Sequence, residues 1–449
     1  MKDLTGKKIS IIGAVRSGVG AAKLAKKLGG IPFVSDSGAR EKIQKNLDIL
    51  EQEAIEYEAG GHSEKVFDCD FIITSPGVPS NSEVLLTAKQ KGIKVISELE
   101  FASSFCKGKI ISITGTNGKT TTTSLCAHVL NKCGLKTYPA GNIGIAFSEI
   151  VPDIKENECA ALETSSFQLD HLDEFKPKVS AILNITPDHL DRYDHKIENY
   201  INSKLNVFKN QDNGDYLILN HDDQLTPKEI SNQSVNKFYF SLKDEIENGA
   251  FLKGDSIVYK KGGKEEFRCL TSDISLVGEH NYANAMAVII IAKLFNLDNE
   301  KIKSALGDFP GVEHRLEFVR EINGVKYIND SKATNVDSVW YALRSFEDPI
   351  FLILGGKDKG NDYNQIKELV INKVKKIYAI GSSADKVFNF FHQFVKVEVK
   401  PSLEECILSA NREARNNEVV LLSPACASFD MFNDYEHRGR VFKEAVNNL

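Results

Sequence analysis

The chain has 449 residues, of which 42% are hydrophobic and 26% charged, and its formal net charge is −6. This composition is ordinary for a globular protein, and at ~100–200 residues per domain the length predicts two to four domains. The acidic balance gives no reason to expect a nucleic-acid partner, because such proteins usually carry a strong basic excess. The most apolar run, residues 287–292, is far shorter than the ~18 residues of a membrane span, so no membrane association is expected.

The amino terminus and the cysteines both predict a cytoplasmic protein. The first residues, MKDLTGKKISIIG, run directly into a strand-like segment and lack the ~7–15-residue apolar stretch of a signal peptide. The eight cysteines form no C-x-x-C pair and no zinc-like spacing. They are therefore predicted to be reduced and mostly buried thiols.

The first hundred residues alternate short apolar runs with helical patterns. The spacing predicts a helix at 17–28 and strands at 9–13, 31–35, 70–75 and 94–97. Strands that alternate with helices indicate parallel βαβ units, so this segment is expected to form a Rossmann-like sheet.

A second α/β segment begins at residues 109–130, where an apolar strand, a glycine-containing turn and a helix follow one another. Further strands are predicted at 158–166 and 178–186, and residues 211–277 are predicted to form short strands and loops. A helix follows, and its spacing predicts one buried face, formed by Ala283, Ala287, Ile290, Ile291 and Leu294.

A third segment begins with a strand at residues 325–330 and continues with strands at 349–356, 376–381 and 418–425. Proline and glycine in residues 307–317 indicate a linker before it. The predicted fold class is α/β with three domains: an N-terminal Rossmann-like parallel sheet (1–106), a central P-loop ATPase-type α/β domain (107–311) and a C-terminal Rossmann-like α/β domain (312–449).

The strongest motif is GTNGKT at residues 115–120, between an apolar strand and a helix. Glycines let backbone N–H groups turn toward phosphate oxygens, and the helix N-terminus adds partial positive charge. Lys119 is placed to reach the β- and γ-phosphates, and the Thr120 hydroxyl to hold Mg²⁺. Since Ile113 stands where the full pattern has glycine, the match is to the shortened form. Nucleotide phosphate binding is predicted, rather than a plain βα turn.

A weaker signal is GAVRSG at residues 13–18. Val15 stands where a dinucleotide fingerprint has its second glycine. The turn still leaves a helix N-terminus open for an anion. Diphosphate binding and simple packing therefore both remain open.

Three further residues are candidates for the phosphate site. Glu163 and His189 follow predicted strands and are expected at the sheet edge that carries the phosphate loop, where both could serve Mg²⁺. Glu163 could instead be a charge at a helix N-terminus, and His189 a capping or packing residue. Lys204, in YINSKLNVF, is interpreted from the sequence alone as a solvated lysine.

Several segments in a fixed order give the chain a resemblance to the Mur ligases over nearly its whole length. They are TGTNGKTTTT, LETSSFQL, NITPDHLDRY, GEHNYANAMA, HRLE, YINDSKATN, GGKDKG and SPACASFDMF. YINDSKATN together with SPACASFDMFNDYEHRG is most similar to the D-glutamate-adding members. The resemblance implies that ATP phosphorylates UDP-N-acetylmuramoyl-L-alanine and that D-glutamate then attacks the acyl phosphate, in peptidoglycan precursor synthesis. It further implies ATP and Mg²⁺, two ions, as cofactors and a monomeric enzyme.

The resemblance also implies residue roles. Those implied for catalysis are Lys119, Glu163, His189 and Lys204, with a carbamylated Lys204 joining Thr120, Glu163 and His189 at the metal. Those implied for ATP binding are Gly115, Thr116, Asn117, Gly118, Lys119, Thr120, Thr121, Asn281, Asn284, Arg315, Asp330 and Lys332. Those implied for the UDP-sugar are Ser17, Asp36, Ser75, Gly77 and Asn142, and those for D-glutamate are Thr334, Lys359, Ser428, Phe429 and Tyr435.

Two positions depart from the family pattern or leave it ambiguous. Ser37 follows Asp36 where related enzymes can place an arginine near uracil, and whether Arg16 or Arg40 compensates stays open. Whether Lys357 or Lys359 meets D-glutamate stays open too.

Two rival functions remain. One is another ligase of the superfamily, such as a folylpolyglutamate synthetase, and the other is a P-loop regulatory protein whose nucleotide state controls a partner. Amino-acid-dependent phosphate release separates a D-glutamate ligase from both.

Overall fold

The computed structural model describes residues 3–226, 234–276 and 278–449. It divides into two compact units, Met1–Ser275 with Asn281–Phe309, and Leu276–His280 with Pro310–Leu449. Residues 227–233 and 277, which belong to the stretch predicted as short strands and loops, lie outside the described residues. The domain boundaries drawn from the sequence stay predictions.

The first sheet of the first unit is parallel throughout, with the strand order β3-β2-β1-β4-β5. Its strands are β1 Lys8–Ile12, β2 Ile31–Asp36, β3 Glu56–Ala59, β4 Phe71–Thr74 and β5 Val95–Ser97. Its helices are α1 Arg16–Lys27, α2 Arg40–Gln52, α3 Glu83–Gln90 and α4 Glu98–Ser103. The helix predicted at 17–28 is α1. Of the face that its spacing predicts, Ala21, Leu24 and Ala25 are buried, whereas Leu28 is partly buried and follows the end of the helix. The turn between β1 and α1 therefore lies at the carboxyl edge of this sheet.

The second sheet has the order β14-β13-β12-β11-β10-β9-β6-β8-β7 in the described residues and is parallel except at β13 and β14. Its strands are β6 Lys109–Thr114, β7 Thr137–Gly141, β8 Cys159–Glu163, β9 Val179–Ile182, β10 Tyr216–Asn220, β11 Asn236–Ser241, β12 Gly249–Lys253, β13 Ser256–Lys261 and β14 Lys264–Leu270. Its helices are α5 Lys119–Lys132, α6 Phe147–Ile150, α7 Ser166–Leu169, α8 Ile197–Leu205, α9 Glu279–Leu294 and α10 Asn299–Gly307. The central strands β6, β8 and β9 end side by side, so residues that follow them share one edge.

Helix α9 is enclosed on every side along most of its length. Residues 285–292 are all buried, whereas Ala283 and Leu294 are only partly buried. The prediction of a single buried face is therefore wrong. A helix that is apolar all round belongs in an interior, and it has no polar stripe that would reveal a period.

The second unit contains a sheet with the order β15-β16-β20-β17-β18-β19, in which only β15 runs antiparallel to its neighbour. Its strands are β15 Glu317–Ile322, β16 Val325–Asn329, β17 Ile350–Gly355, β18 Val374–Ile380, β19 Lys396–Val399 and β20 Glu418–Leu422. Its helices are α11 Val336–Arg344, α12 Asn364–Lys373, α13 Ala384–Phe391, α14 Leu403–Glu413 and α15 Tyr435–Asn447. Consecutive residues such as Leu352 and Ile353 enter opposite core clusters, so both faces of the sheet are covered.

The predicted α/β fold class, with an N-terminal parallel sheet, is confirmed, while the two later sheets are mixed. The eight cysteines are unpaired thiols and five of them are buried, as predicted. Within the described ranges, no helix combines the length and apolar character needed to cross a membrane.

Candidate functional site

The phosphate loop joins β6 to α5, and Gly118 forms its last residue before the helix. Gly118 has a φ of 83°, a left-handed conformation that side chains disfavour. A Cβ at this position would also lie 2.5 Å from Oδ1 of Asn284. Both the backbone conformation and the available space therefore require glycine. Asn284 in turn donates to Asn281 over 3.3 Å, so the two buried asparagines predicted to bind ATP lie together beside this loop.

The segment that follows β9 holds the phosphate loop in place. The backbone oxygen of Asn184 accepts from the Thr116 N–H over 2.9 Å, and its side-chain oxygen accepts from the Asn117 N–H over 2.8 Å. The Thr116 hydroxyl donates to the carbonyl of Thr186 over 3.0 Å. These contacts tie the loop to the segment after β9. The sequence gives no signal for Asn184, because the motif describes the loop and not the remote residue that supports it.

Two lysines converge on one carbonyl of this loop. Lys119 donates to the carbonyl of Gly115 over 2.9 Å and to that of Thr116 over 2.7 Å. Lys204, on α8, donates to the same Gly115 oxygen over 2.8 Å. Its side chain is only 1% exposed. The interpretation of Lys204 as a solvated lysine is therefore wrong, since helix α8 turns it inward onto the loop.

Burial is the main influence on the pKa of Lys204. It lowers the pKa of the amine well below its usual value, and the positive charge of Lys119 lowers it further. The negative charges of Asp188 and Asp170 act to raise this pKa, but they do not offset the lowering by burial and by Lys119. A lowered pKa shifts the equilibrium toward the neutral amine, and a neutral amine is a nucleophile whereas an ammonium is not.

Glu163 ends β8 at the same edge. It lies opposite Ile113 in the β6 pairing and is 1% exposed. The side-chain amide of Asn142 donates to its Oε1 over 2.9 Å. Helix α7 begins at Ser166, and Glu163 lies outside its first turn, so the alternative of a helix N-terminal charge is not supported.

His189 follows β9 in a left-handed conformation, with φ 53°. Its ring packs edge-on against Phe167, with 5.1 Å between ring centres, and its Nε2 lies 3.7 Å from a carboxylate oxygen of Asp188. The packing role that the sequence left open is therefore present. The side chain is 37% exposed, and a role toward metal stays a prediction.

Two of the residues predicted for the UDP-sugar hold the turn between β1 and α1. The Asp36 carboxylate accepts from the backbone N–H groups of Ala14 and Gly38, each over 2.6 Å. The Ser75 hydroxyl donates to the carbonyl of Gly13 over 3.3 Å. Ser17 is half-buried in the first turn of α1, and Gly77 is exposed. The structure thus brings Asp36 and Ser75 to one turn and leaves both packing and anion binding possible there.

The two arginines considered as partners for uracil lie in different surroundings. Arg40 donates to Glu51 over 3.2 Å and to the Tyr57 hydroxyl over 2.8 Å. Arg16 donates to the carbonyl of Gly144 over 3.4 Å. The Arg40 guanidinium is therefore already hydrogen-bonded to neighbouring side chains of the same sheet domain.

In the second unit, Asp330 is a buried carboxyl at the end of β16. Its oxygens accept from the Ser423 hydroxyl over 2.9 Å and from the Leu316 N–H over 3.2 Å. Burial raises its pKa to about 6, although the charge of Arg315 opposes this. In the part of the chain that the structure describes, the Nε of Arg315 is buried without a hydrogen-bond acceptor.

The residues predicted for D-glutamate lie in the loops after β16, β17 and β20 and at the start of α15. The Lys332 ammonium lies 5.1 Å from the ring centre of Tyr435. Ser428 is buried, whereas the neighbouring Phe429 is 68% exposed. Thr334 is half-buried, and Lys357 and Lys359 are both exposed, so the choice between these two lysines stays open.

A residue for which the sequence gives no signal connects two of these loops. Arg438, on α15, is buried and donates to the hydroxyl and carbonyl of Ser331 over 3.0 and 2.7 Å. It also donates to the carbonyl of Cys426 over 3.1 Å. One guanidinium therefore fixes the loop after β16 to the loop after β20. Burial lowers its pKa to about 10, still far above neutrality.

Comparison with protein families gives three matches along the chain. Residues 8–84 match the MurD N-terminal domain, residues 113–292 the Mur ligase middle domain, and residues 314–426 the glutamate ligase domain of the Mur ligases.

Similar proteins cover the full length. The UDP-N-acetylmuramoylalanine--D-glutamate ligase of Chloroherpeton thalassium is 43% identical, over 100% of this chain and 99% of that protein. The ligase of the same name from Christiangramia forsetii is 45% identical, over 99% of this chain and 100% of that protein.

Solved structures agree on the fold. The UDP-N-acetylmuramate-alanine ligase of Thermotoga maritima aligns with a TM-score of 0.65 at 20% identity, over 98% of this chain and 99% of that one. The MurF ligase of Thermotoga maritima, solved with ADP, aligns with a TM-score of 0.61 at 14% identity, over 100% of both chains. With relatives of this identity along its whole length, the chain belongs to the Mur ligase family and is a ligase of the group formed by the UDP-N-acetylmuramoylalanine--D-glutamate ligases.

Proposed function

We propose that this protein joins D-glutamate to UDP-N-acetylmuramoyl-L-alanine at the expense of ATP, in the synthesis of peptidoglycan precursors. A free carboxylate is a poor acyl donor, so the reaction requires an activated oxygen. The substrate carboxylate attacks the γ-phosphorus of ATP, and ADP leaves. The amine of D-glutamate then attacks the acyl carbon, loses a proton, and phosphate leaves as the new amide forms.

The observation that carries the proposal is the phosphate loop with two lysines at the Gly115 carbonyl. Lys119 can leave this carbonyl to neutralise the phosphates of ATP, while the N-terminus of α5 adds its partial charge. Gly118 supplies the left-handed conformation of this loop, and a Cβ there would meet the side chain of Asn284. Positioning of the reactants is expected to supply much of the rate, up to ~7–11 kcal/mol of the barrier.

The donor set also fits Mg²⁺. The Thr120 hydroxyl and the Glu163 carboxylate offer the hard oxygen ligands that this ion prefers, and the His189 imidazole is a softer ligand beside them. When bound, the ion neutralises charge on the phosphates and polarises the phosphoryl oxygens. The amide of Asn142 supports this role of Glu163, because it orients the carboxylate from the side.

Lys204 fits a carbamate better than an ammonium. Burial lowers the pKa of its amine, and the deprotonated amine can add to CO₂ with loss of a proton to give an anion. That anion would be attracted by the Lys119 ammonium and by two divalent cations, whereas an ammonium would be repelled by both. We therefore propose carbamylated Lys204 as a further metal ligand.

The remaining assignments follow the family resemblance. The β1–α1 turn with Ser17, Asp36, Ser75 and Gly77 is proposed to take the UDP moiety, with Asn142 meeting the sugar. In the second unit, Thr334, Lys359, Ser428, Phe429 and Tyr435 are proposed for D-glutamate. Arg315, Asp330 and Lys332 are proposed to take part in ATP binding. A monomer in the cytoplasm, where ATP is available, belongs to the same proposal.

Phosphate release tests the proposal directly. The purified chain with ATP, Mg²⁺ and UDP-N-acetylmuramoyl-L-alanine is expected to release phosphate only when D-glutamate is added. Parallel reactions with L-glutamate, L-alanine and diaminopimelate identify the amino-acid specificity. Release that is strongest with L-glutamate and a folate acceptor would favour a folylpolyglutamate synthetase, and turnover that requires another protein would favour a regulatory P-loop protein.

A further inference from the structure

Three side chains at the carboxyl edge of the first sheet form a hydrogen-bonded chain that the proposed function does not use. Ser35, the last residue but one of β2, is fully buried, and its hydroxyl lies 2.7 Å from a carboxylate oxygen of Glu58. The same hydroxyl lies 2.6 Å from Nδ1 of His62. The imidazole is half-buried and stands just beyond β3.

The loop that carries His62 is fixed beside Asp36. The N–H of Gly60 donates to the carbonyl of Asp36 over 2.9 Å, and Gly60 takes a left-handed φ of 85° to do so. In Rossmann-like sheets the turn after the first strand takes the diphosphate, and the end of the second strand meets the ribose. The base is then expected over the ends of β2 and β3, which is where His62 lies.

The hydroxyl proton of Ser35 decides which nitrogen of His62 carries hydrogen. Glu58 also accepts the Ser63 N–H over 2.9 Å. Burial acts to raise the pKa of the Glu58 carboxyl, but the hydrogen bonds from Ser63 and Ser35 hold this pKa below its usual value. An ionised carboxylate can only accept, so Ser35 must donate its single proton to Glu58. The alternative acceptor, the carbonyl of Gly61, is 3.5 Å away.

Since the hydroxyl proton is used, the Ser35 oxygen must accept from His62, and Nδ1 therefore carries the hydrogen. Burial lowers the pKa of His62, which favours the neutral ring, although Glu58 and Asp36 oppose this. In a neutral imidazole with hydrogen on Nδ1, the other nitrogen, Nε2, is an acceptor.

We propose that Nε2 of His62 accepts the N3–H of uracil and thereby selects uridine nucleotides. This inference rests on the proposed function, in which the β1–α1 turn holds a UDP-sugar. The pyrimidines differ at this atom, because N3 of uracil carries a hydrogen and N3 of cytosine carries a lone pair. With cytosine, the lone pair of N3 would face the lone pair of Nε2 of His62, and the two acceptors would repel each other. The nearby Arg40 is already bonded to Glu51 and Tyr57.

Binding to the full chain tests the inference from the ligand side and from the protein side. Titration calorimetry compares UDP, CDP and UDP methylated at N3. The wild type is expected to bind UDP at least about tenfold more tightly than either analogue, since both lack the donor. The analogue experiment needs no variant and therefore does not depend on the folding of one.

The protein-side test uses His62→Phe, which keeps an aromatic ring but has no hydrogen-bond acceptor. It is expected to weaken UDP binding by about 3- to 10-fold and to bring UDP and CDP within about threefold of each other. Ligase assays should show a raised KM for the UDP-sugar with kcat unchanged. His392→Ala, which removes an exposed histidine of the second unit, is the control and should behave as wild type.

The possible outcomes separate the inference from the function on which it rests. If His62→Phe keeps the wild-type preference for UDP over CDP while D-glutamate-dependent turnover is intact, the inference alone is overturned. Equal wild-type affinity for UDP and its N3-methyl analogue would overturn it as well. If the wild type binds no uridine nucleotide and shows no UDP-sugar-dependent turnover, both the inference and the proposed function fail.

Discussion

Lys119 and Lys204 donate to the same carbonyl oxygen, that of Gly115, over 2.9 and 2.8 Å. Two ammonium groups this close repel each other, and burial removes the water that would screen them. The pKa of Lys204 is accordingly well below its usual value. A negative adduct on Lys204 would turn the repulsion into attraction, which is why a carbamate suits this position.

The first prediction concerns Lys204→Ala. The variant is expected to fold and to lose at least about 100-fold in kcat, because a proposed metal ligand is missing. A short carboxylate such as acetate fits the space of the lost carbamate and should restore part of the rate. Ligase assays with increasing acetate measure this.

Lys209→Ala is the matched control, since Lys209 lies shortly after Lys204 and is exposed. It should keep wild-type turnover and show no response to acetate. Full activity of Lys204→Ala without added acid would show that the buried amine has no part in the reaction.

The second prediction concerns Lys119→Ala. This variant should lose ATP turnover by at least about 100-fold, because the cation of the phosphate loop is removed. Its melting temperature should change little, since the loop is also held by Asn184. Lys132→Ala, at the exposed end of the same helix, is the control. Near-normal rates in a folded Lys119→Ala variant would contradict the assignment.

The sequence predicted those parts of the fold and site that depend on local pattern. The phosphate loop is such a part, because strand, glycines, lysine and helix are consecutive in the chain. Edge strands were harder to predict from the sequence. Strand β7 reads TYPAG, and its proline, which argues against a strand, is tolerated because β7 lies at the sheet edge. Strand β3, EYEA, has no buried residue and thus no apolar pattern.

Contacts between segments that are distant in the chain could not be predicted from the sequence, and the reason is physical. Lys204 was interpreted as solvated because lysine is rarely buried, and only the packing of α8 reveals that it is. Asn184 and Arg438 act through backbone groups of remote loops, and no spacing in the sequence records such contacts. Site roles drawn from the family resemblance remain predictions that the proposed experiments test.

The third prediction concerns Arg438→Lys. A lysine ammonium cannot reproduce the planar donors that reach Ser331 and Cys426 together. Leaving such buried acceptors unsatisfied should cost about 1–3 kcal/mol of unfolding free energy. Since the two loops carry residues proposed for D-glutamate, the KM for D-glutamate should rise more than the KM for the UDP-sugar.

Arg440→Lys is the control for this variant, because Arg440 is an exposed residue of the same helix. It is expected to keep both KM values. Equal increases in the two KM values for Arg438→Lys would indicate general destabilisation rather than a loop-positioning role. Chemical denaturation measures the stability change independently.

The last prediction concerns pH and the buried carboxyl of Asp330. Burial raises its pKa from the ordinary 3.8 to about 6, so between these values the folded protein holds a proton that the unfolded chain has released. Stability contributed by this group therefore falls as pH rises from about 4 to about 6, and the loss is complete above that window. Asp330→Asn cannot ionise and escapes this loss, which is on the order of 1–3 kcal/mol. The melting temperature of the variant minus that of wild type should thus rise by several degrees across the window, while ligase activity falls.

Asp385→Asn, at an exposed position of α13, should give a flat difference. A difference that is flat for Asp330→Asn too would mean that the carboxyl is ionised throughout and that its bonds to Ser423 and Leu316 outweigh its burial.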